Sequence, residues 1–181
     1  GEPLSEVCKT GRLLPVAEAL EVAAQVADAL EYAHGQNVVH RDIKPANIIY
    51  DRESGIVKVT DFGVACLTDS SKTKTGTVLG SPSYMSPEQF AGTRVDGRSD
   101  QFSLGVTLFQ LLTGTLPFTG DSFATLMYRI ANEKHPNIRK LRKNLPTCVT
   151  RLINKALQKE AGKRYQSGAK LAEALRRCAG D

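Results

Sequence analysis

From Ser99 to Gly114 a helical period leaves only Ser103, Thr107, Gln110 and Thr113 as a narrow polar stripe beyond the first turn, with apolar residues on the remaining circumference. A helix so sparsely polar cannot lie on a surface. It predicts a buried axis around which other helices pack, with Ser99 as its N-cap. The chain is long enough for this, since a domain near its 181 residues buries roughly 70% of the surface that its unfolded chain exposes. Hydrophobic residues at 41% and charged residues at 24% fit an ordinary globule, and Gly 15 with Pro 8 excludes fibrous and low-complexity chains.

Other elements follow from local pattern. Between Pro15 and His34 the polar residues Glu18, Glu21, Gln25 and Asp28 recur at helical spacing opposite Leu20, Ala23, Ala27 and Leu30, which predicts an amphipathic helix ending near Gly35. The β-prone runs 48–50 and 56–59, separated by the turn-forming residues 51–55, predict a small hairpin. Residues 64–85 are rich in Ser, Thr, Gly and Lys and predict a long loop. Further helices are expected near 122–132, 147–158 and 168–178. There is no internal repeat and no second-domain linker. The fold class is therefore mainly α with small β-hairpins.

No stretch approaches the ~20 uncharged apolar residues of a membrane span, and the start lacks a basic-then-apolar leader. Cys8, Cys66, Cys148 and Cys178 are scattered without metal-ligand spacing, so free thiols in a reducing compartment are expected, although an even number leaves bridges open. The net charge of +5 is uneven: residues 1–128 carry 10 Lys and Arg against 15 Asp and Glu, and residues 129–181 carry 14 against 4. A basic nucleic-acid-binding module is one reading of that basic third. The shortage of aromatics after Tyr128 favours a solvated face instead.

The chemistry concentrates in His40-Arg41-Asp42-Ile43-Lys44-Pro45-Ala46-Asn47, before the hairpin, and Asp61-Phe62-Gly63, after it. A hairpin folds back on itself, so Asn47 at its beginning and Asp61 at its end can approach each other near Asp42. Carboxylate and amide oxygens there suit Mg²⁺. Taken singly, Asp42 and Asp61 read as turn residues or helix caps, and Asn47 carries no signal.

These strings, with Ser86-Pro87-Glu88, Asp100 and Arg164, resemble the eukaryotic-type protein kinases, and within them the bacterial serine/threonine kinases. The resemblance covers essentially the whole chain, residues 1–181, and implies the C-terminal lobe of the α+β kinase fold. It implies ATP and Mg²⁺ as cofactors and proteins as phosphoacceptors. Asp42 would be the catalytic base, Lys44 would act on the transferred phosphoryl group, and Asn47 and Asp61 would hold the metal. Ser81, at a position where most family members carry Thr, would position the substrate. His40 would be a packed structural residue, and Phe62 a core aromatic that the family also uses to register state. Glu88 and Arg164 would form an internal ion pair, and Asp100 would accept hydrogen bonds from the catalytic loop. Arg41 before the base implies a regulatory partner in a phosphorylated loop residue, Thr73 or Thr75.

Only 39 residues precede His40, and the family's N-terminal lobe needs about 65. Gly1 to Leu14 resembles the stretch just after the linker between the lobes. No Gly-rich phosphate loop or Val-Ala-x-Lys strand is found there, so the chain is expected to be an isolated lobe, nearly inactive and prone to self-associate through its uncovered face. The expected location is cytoplasmic, in a soluble protein or as the cytoplasmic domain of a membrane-bound receptor kinase. A pseudokinase scaffold is the alternative, opposed by the retention of Asp42, Lys44, Asn47 and Asp61.

Overall fold

The computed structural model describes residues 1–62 and 81–181. Three short strands, β1 (Glu2–Pro3), β2 (Ile48–Asp51) and β3 (Ile56–Val59), form an antiparallel sheet in that order. Seven α-helices accompany them among the described residues: α1 (Val16–Gly35), α2 (Pro87–Ala91), α3 (Gly97–Thr113), α4 (Phe123–Asn132), α5 (Ile138–Leu141), α6 (Thr147–Ala156) and α7 (Gly168–Ala179). Among the described residues no helix is long and apolar enough to cross a membrane.

The sparsely polar helix is the axis of the domain. Along α3 every residue from Ser99 to Phe109 is buried, and α1, α6 and α7 pack around it. Its polar stripe is accommodated by backbone partners: Thr107 donates to Ser103 O at 2.9 Å and Thr113 to Phe109 O at 2.8 Å. The helix begins earlier than its Ser99 suggested. Asp96 is the N-cap, its carboxylate accepting from Arg98 N at 3.0 Å, and Ser99 is buried inside the first turn.

Helix α1 lies between α3 and α7, which explains why its apolar arc is so wide. The crossing of α7 over α1 is close enough to demand glycine. A Cβ on Gly168 would stand 2.5 Å from Ala27 O and 3.0 Å from Glu31 N. The outer rim of that contact is charged, with Arg176 reaching Glu21 at 3.3 Å and Asp28 at 2.7 Å.

The hairpin pairs Ile48 with Val59 and Asp51 with Ile56. Gly55 closes the turn with φ 71°, and Gln25 of α1 ties it down by donating to Gly55 O at 3.0 Å and accepting from Val57 N at 3.2 Å. Strand β1 adds to β2 through Glu2 opposite Tyr50, an edge that two residues cannot announce in sequence.

The cysteines correct one expectation. Cys148 in the first turn of α6 and Cys178 in the last turn of α7 form a disulfide, with Cα atoms 5.7 Å apart. They are 30 residues apart in sequence, and only the packing of α7 on α6 brings them together. Cys8 is free and buried, and Cys66 lies outside the described residues.

Gly168→Ala should lower stability by about 1–2 kcal/mol in urea unfolding, because separating two helix backbones costs more than alanine gains in helix propensity. Gly162→Ala, where an added Cβ meets nothing within 4 Å, is the matched control and should be near neutral.

Candidate active site

The site is hung from one buried carboxylate. Asp100, in the first turn of α3 and 0% exposed, accepts His40 N and Arg41 N at 2.8 Å each and is 2.7 Å from His34 Nε2. Two successive peptide groups of the 40–47 segment are thereby fixed to the central helix. His40 extends the anchoring. Its Nε2 faces the carbonyl oxygen of Thr60 at 2.7 Å and must carry the proton, while Nδ1 accepts Asp42 N at 3.1 Å. With both ring nitrogens engaged and the ring edge-on to Phe62 at 4.7 Å, His40 orients Asp42 and has no nitrogen left for proton transfer.

Asp42, Lys44, Asn47 and Ser81 meet in one network. Asp42 Oδ2 accepts Asn47 Nδ2 at 3.2 Å and lies 3.4 Å from Lys44 Nζ, and Oδ1 faces Ser81 N at 3.4 Å. Lys44 Nζ donates to Ser81 Oγ at 2.8 Å. Asp42 and Lys44 keep about a quarter of their side-chain surface, 24% and 23%, so both can reach a bound molecule.

The donor set fits a hard cation. Asn47 Nδ2 is committed to two acceptors, Asp42 O at 2.9 Å and Asp42 Oδ2, which identifies Oδ1 as the oxygen left for a metal. Thr60 N donates to Asn47 O at 2.9 Å across the hairpin's open end, so Asp61, the next residue, stands beside Asn47. Asp61 has φ 62° and is exposed, and Arg41 has φ 69°: two site residues occupy the left-handed region that glycine prefers.

Glu88 and Arg164 hold the segment that follows Ser81. Arg164, 0% exposed in its side chain, forks onto Glu88, with Nη2 to Oε2 at 2.8 Å, and also donates to Gln158 O, Lys159 O and Arg98 O. Burial pushes the Glu88 carboxyl up, but the Arg164 guanidinium and the Ser99 hydroxyl outweigh it and hold the carboxyl below its ordinary value. Gln89 ties α2 to the loop by donating to Arg41 O at 3.1 Å. Arg41 Nε is buried without a hydrogen-bond partner among the described residues, and Thr73 and Thr75 lie outside them.

Beside Lys44 and Ser81 opens a cavity of about 250 Å³, lined also by Ser5, Cys8, Ala46, Tyr84 and Gln110. Among the described residues Lys44 supplies its only charge. Tyr84 donates to Gln110 Oε1 at 2.6 Å across one wall.

The family model for the protein kinase domain matches residues 1–175. This chain belongs to the protein kinase family. Its relatives include a probable serine/threonine-protein kinase of Clostridium perfringens, 41% identical over 94% of this chain and 25% of its own length. Serine/threonine-protein kinase PrkC of Bacillus subtilis is 39% identical over 92% of this chain and 26% of its own length. Serine/threonine-protein kinase PknB of Mycobacterium leprae is 38% identical over 94% and 28%. The kinase chain thus spans about a quarter of the length of these curated relatives, and its sequence kinship is with bacterial serine/threonine kinases.

Several working residues escaped sequence reasoning. His34 is 66 positions from Asp100 and its role exists only in the folded chain. Gln89 did have a local signal, since Ser86-x-x-Gln89 is a capping box, and its reciprocal bonds are present in α2.

Glu88→Gln should cost about 3 kcal/mol at neutral pH by leaving the Arg164 guanidinium without its buried counter-charge. Because the folded carboxyl titrates below its ordinary value of 4.5, the stabilisation is complete above that value and disappears as pH falls through the depressed one. Thermal unfolding between pH 6 and 3 should therefore fall more steeply for the native chain than for the Gln variant.

Proposed function

We propose that the chain is the C-terminal lobe of a bacterial serine/threonine protein kinase which, completed by an N-terminal lobe, transfers the γ-phosphoryl group of ATP to Ser or Thr hydroxyls of proteins. The observation that carries this reading is the joining of Asp42, Lys44, Asn47 and Ser81 in one partly open hydrogen-bond network. Asp42 orients the acceptor hydroxyl and takes its proton, with His40 holding the Asp42 backbone in place. Lys44 sets an ammonium against the negative charge of the transferred group, and Ser81 keeps that ammonium near Asp42. Asn47 Oδ1 and the Asp61 carboxylate would hold Mg²⁺, which when bound with ATP supplies charge neutralisation at the phosphates. The side chain flanking the acceptor would sit in the cavity by Ala46 and Gln110, where Lys44 disfavours a basic residue.

In this reading the 181-residue chain holds only half of the nucleotide site. Alone it should bind Mg-ATP weakly, and calorimetry showing micromolar affinity would count against the lobe assignment. The reaction is placed in the cytoplasm, where ATP is supplied.

Joined to an N-terminal lobe, the kinase should lose about 10²–10⁴-fold of kcat on Asp42→Asn, with the substrate KM changed far less, measured by phosphate transfer to protein. A variant that retained full turnover would remove Asp42 from the base role. Incubation of that two-lobed kinase with Mg-ATP should add phosphate at Thr73 or Thr75, seen by intact mass and peptide mapping. The modified Thr brings about −1.5 to −2 of charge for Arg41 to bind, so Arg41→Ala should abolish the accompanying gain in activity.

A further inference from the structure

We propose that Cys148 and Cys178 are a reversible redox site, a dithiol that a small-molecule disulfide such as oxidised glutathione converts into a cross-link between α6 and α7. Three observations converge on this pair, and none of them depends on the kinase reading. The Cα atoms of the linked pair stand 5.7 Å apart, an ordinary separation for a disulfide. A cleft of about 200 Å³ opens on both cysteines and is lined by the guanidinium-bearing residues Arg151 and Arg177, with Asp181 as its one acidic side chain among the described residues. The two cysteines differ in access: Cys148 is half-buried, and Cys178 is 4% exposed.

The chemistry follows from that asymmetry. Cys148, as thiolate, attacks one sulfur of oxidised glutathione, forming a mixed disulfide and releasing one glutathione thiolate. Cys178, as thiolate, attacks the Cys148 sulfur and releases the second glutathione. Two protein thiols lose two electrons, oxidised glutathione gains them, and the two thiol protons end on two glutathione thiols. Arg151 makes no ion pair among the described residues and Arg177 is shared with Glu173 at 2.6 Å, so positive charge remains at the cleft to attract the anionic oxidant. Cys8 is the internal contrast: burial pushes its thiol up to about 12, which leaves it inert.

The cross-link has a structural consequence. It closes a segment of sequence separation 30 that carries Arg164, the buried anchor of Glu88. Oxidation therefore restricts the unfolded chain and holds the ends of the segment that supports the site, while reduction releases them. In a reducing compartment such a bond is made and broken in response to the thiol pool.

The test uses the whole chain with Cys66→Ser, so that only the pair and Cys8 remain. It is equilibrated in glutathione buffers of rising oxidised-to-reduced ratio, acid-quenched, alkylated and mapped. A single transition to a linked Cys148–Cys178 peptide is expected, with Cys8 unlinked. Dithiothreitol should reverse it. The oxidised form should unfold roughly 5–10 °C higher than the reduced form, a comparison that needs no variant at the pair. Replacing Arg151 and Arg177 with Ala should slow bond formation about threefold or more. The proposal is overturned if mixed disulfide stops at Cys148, if both thiols stay free at every ratio, or if the bond survives dithiothreitol in the folded chain.

Discussion

The Asp100 carboxylate is the constraint on which the site depends. It sits at the start of the most deeply buried helix and meets the backbone of the 40–47 segment at two consecutive N–H groups. A loop that must display Asp42, Lys44 and Asn47 together has few backbone hydrogen bonds of its own, and unpaired buried N–H groups would cost about 1–3 kcal/mol each. By accepting them, Asp100 lets an irregular segment run through the interior. His34 shares the same carboxylate from α1, so three parts of the chain converge on one side chain. The burial of α3, dictated by its apolar circumference, is therefore what makes the loop's geometry reproducible.

The backbone on both sides of the hairpin stores strain. Arg41 and Asp61 adopt left-handed backbone conformations, at a cost of about 1–3 kcal/mol each for residues other than glycine. Arg41 is held there by Asp100 on its N–H and Gln89 on its carbonyl. Asp61 follows Thr60, whose N–H and hydroxyl both donate to Asn47 O, at 2.9 and 3.1 Å, and whose carbonyl accepts from His40. Glycine would relieve the strain at either position and forfeit the guanidinium or the carboxylate.

What could be read in advance was what local chemistry dictates. The amphipathic period of α1, the apolar period of α3 and the β-prone runs around 51–55 each depend on neighbours in sequence, and their elements lie within a residue or two of expectation. The candidate site residues were read from motif strings that carry them in order, and the fold joins four of them, Asp42, Lys44, Asn47 and Ser81, in one network. Less legible was whatever needs the folded chain. Asp96 displaced Ser99 as cap because a carboxylate could serve both Arg98 N and the Arg98 guanidinium, leaving the Ser99 hydroxyl for Glu88. Strand β1 and α5 are too short for any period to show. The Cys148–Cys178 bond and the His34–Asp100 contact arise from helix packing between distant segments.

The charge asymmetry also resolves at this level. Part of the basic C-terminal third faces inward: Arg164 is enclosed, and Lys159 donates to Ile130 O at 2.6 Å and to Arg129 O, at the last turn of α4. Burial lowers the Lys159 ammonium to about 8, and those two carbonyls with the Phe118 face 4.2 Å away are what its charge acts on. Another part faces α1, where Arg176 spans Glu21 and Asp28. Exposed pairs of this kind contribute roughly 0–1 kcal/mol each, too little to hold α7 in place, which Leu171, Ala172 and Leu175 do by burial. Their effect is on orientation: with Gly168 fixing the close approach at one end of α7, Arg176 at the other selects which acidic stripe of α1 it follows. The basic excess is thus met only in part within the fold: Arg164 pairs with Glu88 and Arg176 with Glu21 and Asp28, while Lys134, Lys140, Lys143, Lys155 and Lys170 stay exposed as a solvated basic face.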